Sequence, residues 1–391
     1  MFSYFNLFTS YIHGGTILLY TFLFVFSSCF AFLAQPSRYR NTTKIKRFWY
    51  TMSFLLLWFF YALNNVGVDT EHYHGLYDMY SSIKDLEIGG RGIELGFQLM
   101  SVVLHFFTND PYIGVAIMRS FQLFFIFWGI YLLRDKIKVG YAIMMYVALF
   151  YFDAFNLLRS SMAGSLCFLS FAYMMKHKTF LPVILSVLAV FIHKTAMFYI
   201  VCQVLFYVLN SKLIRKNVKI ITMTLVVVSI FVMLYGTKLL EILVLSEGVG
   251  EGRYDIYFDR KSTTGFFILV KYLVIFVLLL SIRQKLIKKD KRIWFLFIVW
   301  LACGFALAIV AYDIGILGRA AIYFASSFVV LLPYFINNKK ELLGRFYRKN
   351  GIFNGKLIGF ICTWYTIFLF IITLGDLYYI SELGPFKFLW S

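Results

Sequence analysis

Several arginines and lysines of this sequence stand beside or inside strongly apolar stretches, where charge is costly. A single cation of this kind is explained by snorkelling or by a pair with a nearby acid. Seven together indicate an anionic ligand, and a lipid pyrophosphate fits, because the planar arginine fork can give a phosphate two hydrogen bonds. The seven residues are Arg91, Arg119, Arg159, Lys194, Arg253, Lys271 and Arg319.

Two other residues are candidates for moving a proton. His193 ends an apolar segment, where it could hold diphosphate or accept a proton near neutral pH; the alternative is a structural hydrogen bond. Asp69 follows Gly67, and its alternative role is a helix N-cap. His72 and His74 lie near Asp69, but no carboxylate pair accompanies them at a convincing spacing. We therefore predict no metal site and no cofactor.

Aromatic and polar side chains between these candidates recur at helical spacing. Asp69, Tyr73 and Tyr77 are four residues apart, which places them on one helical face. Flat rings on a polar face suit stacking against sugars, whereas the alternative is a belt of interfacial tyrosines.

A second helix, predicted over residues 93–107, carries a polar stripe on an otherwise apolar surface. The stripe consists of Glu94, Gln98, Ser101 and His105. A helix of this kind lies along the outer interface, re-enters the membrane or lines a wet cavity.

The composition indicates that these residues are held by a membrane protein. The chain has 391 residues, of which 61% are hydrophobic, 21% aromatic and 15% charged. A soluble domain contains roughly 25% charged residues and could not bury so much apolar surface. Apolar blocks of suitable length for a bilayer follow one another with short polar links. We predict twelve spans: 14–34, 47–63, 113–133, 139–155, 160–175, 179–193, 195–210, 219–236, 265–282, 293–311, 319–336 and 356–376.

The distribution of the basic residues predicts the orientation of these spans. Roughly two thirds of the 38 basic residues fall in alternate links, accompanied only by the acids Asp135, Asp290 and Glu341. Such links face the cytoplasm, so both termini are predicted to lie outside. The net charge of +19 is therefore no sign of nucleic-acid binding. The basic links are 38–47, 134–138, 176–178, 211–219, 283–292 and 337–356.

The fold predicted from these patterns is an all-α polytopic membrane protein with about twelve transmembrane helices. We expect residues 1–391 to form one membrane domain, with outer loops 64–112 and 237–264 covering a site. The first segment lacks a basic flank and a cleavage site, so no removed signal peptide is expected. The cysteines all lie within apolar spans and predict neither disulfides nor a metal site.

The ordered set of outer motifs resembles the EpsG family of polysaccharide polymerases, which are functional relatives of the Wzy polymerases of O-antigen and capsule. The resemblance covers about residues 60 to 335. The family often has Asp-Pro-Gly-Phe at Glu94 to Phe97, and a serine in place of Lys194. The motifs are Val66-Gly67-Val68-Asp69 with Tyr73 and Tyr77, Glu94-Leu95-Gly96-Phe97, Asn109-Asp110-Pro111, Asn156 to Arg159, Ile192-His193-Lys194-Thr195-Ala196, Arg253-Tyr254 and Gly318-Arg319 with Tyr323.

This resemblance implies a multi-pass enzyme of the bacterial cytoplasmic (inner) membrane, of GT-C-like architecture, with its site on the extracytoplasmic side. It would join repeat units carried on undecaprenyl pyrophosphate, working beside a flippase and a chain-length regulator. The implied base is Asp69 first and His193 second. The implied pyrophosphate ligands are Arg159 and Arg319, then Arg253 and Arg119. The implied sugar-binding residues are Tyr73, Tyr77, Glu94, Gln98, Tyr254 and Tyr323.

Two alternative functions remain open on the sequence. A flippase or another transporter of lipid-linked sugar usually has internal repeats, broken helices and ionisable residues at the midplane. The sequence shows no repeat and has five prolines, which disfavours that alternative. A transferase resembling the O-antigen ligases needs the same two binding sites, so sequence patterns do not separate it from a polymerase.

Overall fold

The structure is a computed structural model, and within the part of the chain that it describes the secondary structure is helical. That part contains no β-strand, and one isolated antiparallel bridge pairs Asn64 with Phe388. The described residues are 14–35, 46–67, 69–87, 93–211, 265–313, 320–324, 326–343, 355–380 and 386–388.

The first five helices include two that lie within the predicted outer loop 64–112. The fifth begins in the way its sequence predicts, because Asp110 caps it by accepting hydrogen bonds from the amides of Tyr112, at 2.8 Å, and Ile113, at 3.3 Å. A proline follows Asp110 at the first helical position, where its missing N–H has no cost. The helices are α1 (Gly14–Ala34), α2 (Arg47–Ala62), α3 (Thr70–Met79), α4 (Leu95–His105) and α5 (Pro111–Leu132).

The next apolar block, predicted as one span over 139–155, is interrupted. Its helix widens into a π-helical turn, Val147–Tyr151, before the chain resumes as a short helix. Such turns often occur at functional sites. A 3₁₀ turn, Lys194–Ala196, joins the last two helices of this group. The helices are α6 (Val139–Tyr146), α7 (Asp153–Asn156), α8 (Leu158–Met175), α9 (Phe180–Ile192) and α10 (Met197–Leu209).

Four further helices complete the described part of the chain. A 3₁₀ turn, Ile322–Phe324, precedes the third of them, so the predicted span 319–336 begins with an irregular segment. Pro333 lies inside that helix and has no N–H to donate to the carbonyl of Val329, four residues earlier. The helices are α11 (Gly265–Lys289), α12 (Lys291–Asp313), α13 (Ser326–Leu343) and α14 (Gly355–Ile380).

A helix is therefore present at each predicted span that the structure describes, while span 219–236 and loop 237–264 lie outside the described residues. Within the described residues, four helical segments are long and apolar enough to cross a membrane by themselves: Gly15–Ala34, Pro111–Leu132, Lys291–Ile309 and Leu357–Leu374. The total of twelve crossings, the single domain and the GT-C-like architecture stay predictions.

The surface of the bundle agrees with a lipid environment. On α14 the side chains of Phe360, Ile361 and Trp364 are more than half exposed. Contiguous apolar exposure of this kind marks a surface that another apolar phase covers. The chain is accordingly an all-helical membrane protein.

Helices approach closely inside the bundle through small and hydroxylated residues. Ser53 of α2 donates a hydrogen bond to the carbonyl of Ser27 in α1 at 2.9 Å. Ser170 of α8 donates to the carbonyl of Pro182 in α9 at 2.9 Å. Packing and interhelical hydrogen bonds, rather than the hydrophobic effect, hold helices together in lipid. The most extensive contacts of α8 are with α5 and α9, so α8 occupies the centre of the bundle.

Several of the basic links meet at one end of the bundle, which we call the Lys289 end. Lys289 there contacts Glu341 of α13 at 2.5 Å. The links 134–138 and 176–178 are joined by the pair Lys176–Asp135, also at 2.5 Å. His177 lies 3.3 Å from Asp290, which connects those links with the turn between α11 and α12. Those predicted site residues that the structure describes lie toward the other end and are described next.

Candidate functional site

A sharp bend fixes the start of the outer segment. Gly67 has φ +108°, a conformation that residues with a side chain rarely adopt. An added Cβ would also lie 3.1 Å from Oδ1 of Asn156. The same oxygen accepts the amide N–H of Asp69 at 2.9 Å. The bend is thereby attached to the segment that leads from α7 into α8.

The side chain of Asp69 is left available by this arrangement. Asp69 occupies the N-cap position of α3, but its carboxylate makes no capping hydrogen bond. The alternative prediction, that Asp69 is a helix N-cap, is correct for its position. The hydrogen bond that such a cap usually makes is absent. Asp69 stays a candidate base, and it is partly exposed beside Asn156 at the end of α7.

The polar stripe of α4 faces the protein, whereas the interfacial or re-entrant position of this helix stays a prediction. Gln98 and Ser101 are 1% and 0% exposed, whereas Val103 and Phe107 are 52% and 79% exposed. The helix therefore turns its apolar side outward and its polar side inward. His105 packs its ring on Tyr77, with centroids 4.1 Å apart.

The first residue of that stripe, Glu94, organises the candidate site. Arg159 Nη1 donates to Glu94 Oε2 at 2.6 Å, and His193 Nδ1 donates to Glu94 Oε1 at 2.8 Å. The backbone amide of Lys194 also donates to Oε1, at 3.0 Å. The carboxylate is 6% exposed, and its partners Arg159 and His193 are 16% and 12% exposed. A buried carboxylate thus joins α4, the first turn of α8 and the end of α9.

The surroundings of Glu94 keep it ionised. Burial acts to raise its pKa, but the hydrogen bond and charge of His193 lower it. The amide of Lys194 and the guanidinium of Arg159 act in the same direction, and the resulting pKa is about 2. A carboxyl group of this pKa is too weak a base for proton transfer near neutral pH. Glu94 therefore positions its partners.

A glycine makes this arrangement possible. Gly96, in the first turn of α4, lies against the end of α9, where an added Cβ would be 2.5 Å from the carbonyl oxygen of Phe191. Because no side chain intervenes, the start of α4 and the end of α9 come close enough for Glu94 to reach His193.

The contact with Glu94 also determines the tautomer of His193. An ionised carboxylate only accepts hydrogen bonds, so Nδ1 must carry the proton. The other ring nitrogen, Nε2, has no hydrogen-bond partner within the described part of the chain. With Nδ1–H held by Glu94, Nε2 is the ring nitrogen left to exchange a proton, which is the arrangement of a base oriented by a carboxylate. Arg159 likewise keeps a buried Nε–H without a described partner.

Tyr323 is connected to the same site. Its hydroxyl lies 2.7 Å from Thr195 Oγ1, one residue beyond Lys194. Tyr323 is 1% exposed, so it supports the 3₁₀ turn after His193. Thr195 belongs to a quoted motif but was not among the predicted site residues, because a lone threonine gives no chemical signal.

Arg119, predicted as a pyrophosphate ligand, occupies a different position. Its guanidinium donates to the carbonyls of Asn64, at 2.6 Å, and Phe155, at 3.4 Å, and to Thr70 Oγ1, at 3.3 Å. Arg119 is 0% exposed, and both of its terminal nitrogens are bound to protein, while its Nε has no partner within the described part of the chain. Arg119 therefore holds the start of the outer segment against α7, and we leave it out of the proposed ligand site.

Three of the predicted sugar-binding residues are likewise packed against protein. Gln98 exchanges hydrogen bonds with the backbone of Glu87, at 2.9 and 3.1 Å, and donates to the carbonyl of Ile93. Tyr77 is 0% exposed and donates to the carbonyl of Thr108. Tyr73 is 6% exposed. Their aromatic and amide groups form a small core between α3, α4 and α5 instead of an open cleft.

The remaining predicted residues Arg253, Tyr254 and Arg319, as well as Arg91, lie outside the described residues.

In the described ranges, no group of three His, Cys, Asp or Glu side chains is placed to hold a metal ion. His72 is exposed, and His74 is buried with its ring centroid 4.2 Å from that of Tyr112. Burial lowers the pKa of His74.

Glu94, Arg159 and His193 together form what we call the Glu94 cluster. The helical bundle and this buried cluster define a membrane protein with a charged site at one end. A sequence model of the EpsG family matches residues 47–381. The chain belongs to the EpsG family, which is associated with polymerases of exopolysaccharide synthesis. Comparison with curated proteins and with solved structures gives no match.

Proposed function

We propose that this protein is a glycan polymerase that joins oligosaccharide repeat units carried on undecaprenyl pyrophosphate at the outer leaflet of the bacterial cytoplasmic membrane. Membership of the EpsG family supports the polymerase activity. The observation that carries the proposal is the Glu94 cluster, in which a cation, Arg159, and the proposed base, His193, bind the same carboxylate. Transfer from a lipid pyrophosphate requires both groups.

His193 is the proposed general base. Its Nε2 lone pair is oriented by the bond from Nδ1 to Glu94, and oriented bases of this kind contribute about 10²–10⁴-fold to a rate. Asp69, with its uncapped carboxylate, is the second candidate, so the preference predicted from the resemblance is reversed. The reason is that Glu94, whose pKa is lowered, accepts the Nδ1–H of His193 and so leaves Nε2 of that ring for the proton of the acceptor.

Arg159 is the proposed ligand of the leaving pyrophosphate. It lies in the first turn of α8, where the helix dipole also favours an anion. One of its nitrogens is bound to Glu94, which holds the guanidinium in place while other N–H groups remain for phosphate. Arg319 and Arg253 stay predicted ligands of the same group.

The proposed reaction is a single group transfer. The hydroxyl oxygen of the acceptor sugar attacks the anomeric carbon of the donor, while Nε2 of His193 takes the hydroxyl proton. The bond from that carbon to the phosphate oxygen breaks, and its electron pair leaves with undecaprenyl pyrophosphate. Positive charge placed beforehand near the departing oxygen lowers the barrier, because negative charge grows there.

The proposed orientation puts this site outside the cell. The Lys289 end gathers basic links, and such links stay in the cytoplasm. The Glu94 cluster lies at the opposite ends of α8 and α9. An outer site receives repeat units from a flippase, and a chain-length regulator is a further proposed partner.

The test is a gel profile of surface glycan from cells that lack the gene and carry a plasmid copy. The wild-type copy should restore a ladder, whereas Arg159→Ala and His193→Asn should leave single repeat units on the final acceptor. Glu71→Gln is the matched control, since Glu71 is 72% exposed, and it should restore the ladder.

The same experiment separates the alternative functions. If deletion leaves no unit at the surface and lipid-linked units accumulate inside, the protein is a flippase. If full polymer accumulates on its lipid carrier without reaching its final acceptor, the protein is a ligase. A normal ladder with Arg159→Ala would remove the pyrophosphate assignment.

A further inference from the structure

One asparagine joins the two segments that carry Asp69 and Arg159. Asn156 is the last residue of α7, and Arg159 follows three residues later in the first turn of α8. Oδ1 of Asn156 accepts the amide N–H of Asp69 at 2.9 Å. The two bonded residues are 87 positions apart in the sequence, so this hydrogen bond is a tertiary contact that no local turn produces.

The bend at Gly67 brings the two backbones together. A Cβ added to Gly67 would lie 3.3 Å from Cα of Asn156 and 3.3 Å from the carbonyl oxygen of Phe155. The amide of Thr70 then donates to the carbonyl of Gly67 at 3.1 Å, so α3 begins directly after the bend. Asp69 is thereby held through its amide, while its carboxylate makes no capping hydrogen bond.

The neighbours of Asp69 connect it with the Glu94 cluster. The ring of Tyr73, one helical turn after Asp69, has its centroid 6.3 Å from that of Phe97. Phe97 lies in the first turn of α4, three residues after Glu94. Helical residues four positions apart share a face and are separated by about 6 Å along the axis. Asp69 therefore lies on the face of α3 that packs against the start of α4.

Both acidic residues singled out in the outer segment are consequently bound to one short stretch of chain. Glu94 is bound through its carboxylate to Arg159, at 2.6 Å. Asp69 is bound through its backbone to Asn156, three residues earlier. A contact made by the backbone fixes the position of Asp69 without occupying its carboxylate, which is the arrangement that a preorganised reacting group requires.

We infer that Asn156 is a positioning residue, whose side chain fixes Asp69 at the distance from Arg159 at which the Asp69 carboxylate meets the acceptor sugar. Asn156 itself touches neither the substrate nor the reacting atoms. The inference rests on the proposed function, because the transfer reaction supplies the sugar. The alternative is a structural hydrogen bond that only holds the outer segment in the fold.

Amide hydrogen exchange measures the contact independently of catalysis. The full-length protein in lipid nanodiscs is transferred to deuterated water, and the peptide that contains Asp69 is followed by mass spectrometry. Asn156→Ala removes the acceptor and should accelerate exchange about threefold to tenfold, the value of one neutral hydrogen bond. Asn156→Asp keeps an acceptor oxygen of the same reach and should exchange as the wild type does. Asn210→Ala is the matched control, since Oδ1 of Asn210, just after α10, has no described partner.

Chain extension with lipid-linked units tests the positioning role. Asn156→Ala should lower kcat about tenfold to 100-fold, because a displacement of about 1 Å at a reacting group has an effect of this order. Asn156→Asp should recover most of the rate, and Asn210→Ala should extend chains as the wild type does. A double-mutant cycle with Asp69→Asn separates positioning from folding. Once the carboxylate is gone there is nothing left to position, so Asp69→Asn alone and combined with Asn156→Ala should have the same kcat.

Additive losses in the double variant would overturn the inference and leave a structural hydrogen bond. A wild-type kcat for Asn156→Ala or for Asp69→Asn would overturn it too, as would unchanged exchange in Asn156→Ala. In each of these cases the wild-type protein still extends lipid-linked units, so the polymerase proposal stands. A wild-type protein that extends no unit would refute the polymerase proposal, and the positioning role with it, even where exchange shows the contact.

Discussion

Replacement of Glu94 by glutamine tests the reasoning about the candidate site most directly. The amide has the size of the carboxyl group but no charge, and it cannot accept from Arg159 and His193 at once without turning its NH₂ group toward one of them. The pKa of Glu94 is about 2, against an ordinary 4.5, and one pKa unit corresponds to about 1.4 kcal/mol. Loss of the charge should therefore destabilise the protein by about 3 kcal/mol.

The assay is thermal unfolding of the purified protein in lipid nanodiscs near neutral pH. A loss of about 3 kcal/mol should lower the melting temperature by about 4 °C for a chain of this size. Glu71→Gln, the control, removes a carboxylate that is 72% exposed, and exposed pairs contribute little. Its melting temperature should stay within about 1 °C of the wild-type value.

The pH dependence of the same difference provides a second check. The folded-state pKa of Glu94 is lowered, so its contribution is complete above the unfolded-state pKa and declines as the pH falls toward 2. The gap in melting temperature between the wild type and Glu94→Gln should shrink between about pH 5 and pH 3. Equal melting temperatures near neutral pH would refute the ionic role of Glu94, and a gap that widens in acid would contradict its lowered pKa.

Three other predictions concern the same cluster. Arg159→Lys keeps a cation but loses the planar fork, so chain extension measured with lipid-linked units should fall at least about tenfold, and an unchanged rate would remove the phosphate role. His193→Asn can still donate to the carboxylate but lacks Nε2; extension should fall about 100-fold with little change in melting temperature, and a wild-type rate would transfer the base role to Asp69. Gly96→Ala would set a Cβ 2.5 Å from a backbone oxygen and should destabilise the protein by about 1–3 kcal/mol. Gly75→Ala, whose Cβ would meet nothing within 4 Å, is its control, and equal melting temperatures of these two variants would contradict the close approach.

The helical spans were predictable because the bilayer imposes a length and a composition that can be counted along the chain. The breaks inside spans were less predictable. The π-helical turn Val147–Tyr151 has the composition of an uninterrupted apolar helix, so no local signal distinguishes it. The 3₁₀ turn before α13 was equally hidden within an apolar segment.

The candidate site was found in part. Glu94, Arg159 and His193 were each singled out, but their association was not, since 65 and 99 residues separate Glu94 from its two partners. Periodicity placed Gln98 and Tyr77 correctly on helical faces and assigned them the wrong environment. A period shows that one side of a helix differs from the other, without showing whether protein, lipid or water lies there.

The polar residues that line one space between α5, α8 and α13 were missed for a related reason. Gln122 and Ser165 are polar groups within apolar spans, which is a signal of function in a membrane protein. Single hydroxyl and amide groups are also common in helix packing, however, as Ser53 and Ser170 show. Only the tertiary structure shows that Gln122 of α5, Ser165 of α8 and Ser326 of α13 line one space.

The sequence by itself determined that this is a helical membrane protein and which residues carry unusual charge, because both follow from residue type and position along the chain. The tertiary structure decided which of those charges meet. In it, Arg119 donates hydrogen bonds to backbone carbonyls, whereas Arg159 and His193 both bind the carboxylate of Glu94. Distances between remote segments depend on how helices pack, and the close approach at Gly96 is the contact through which that packing creates the site.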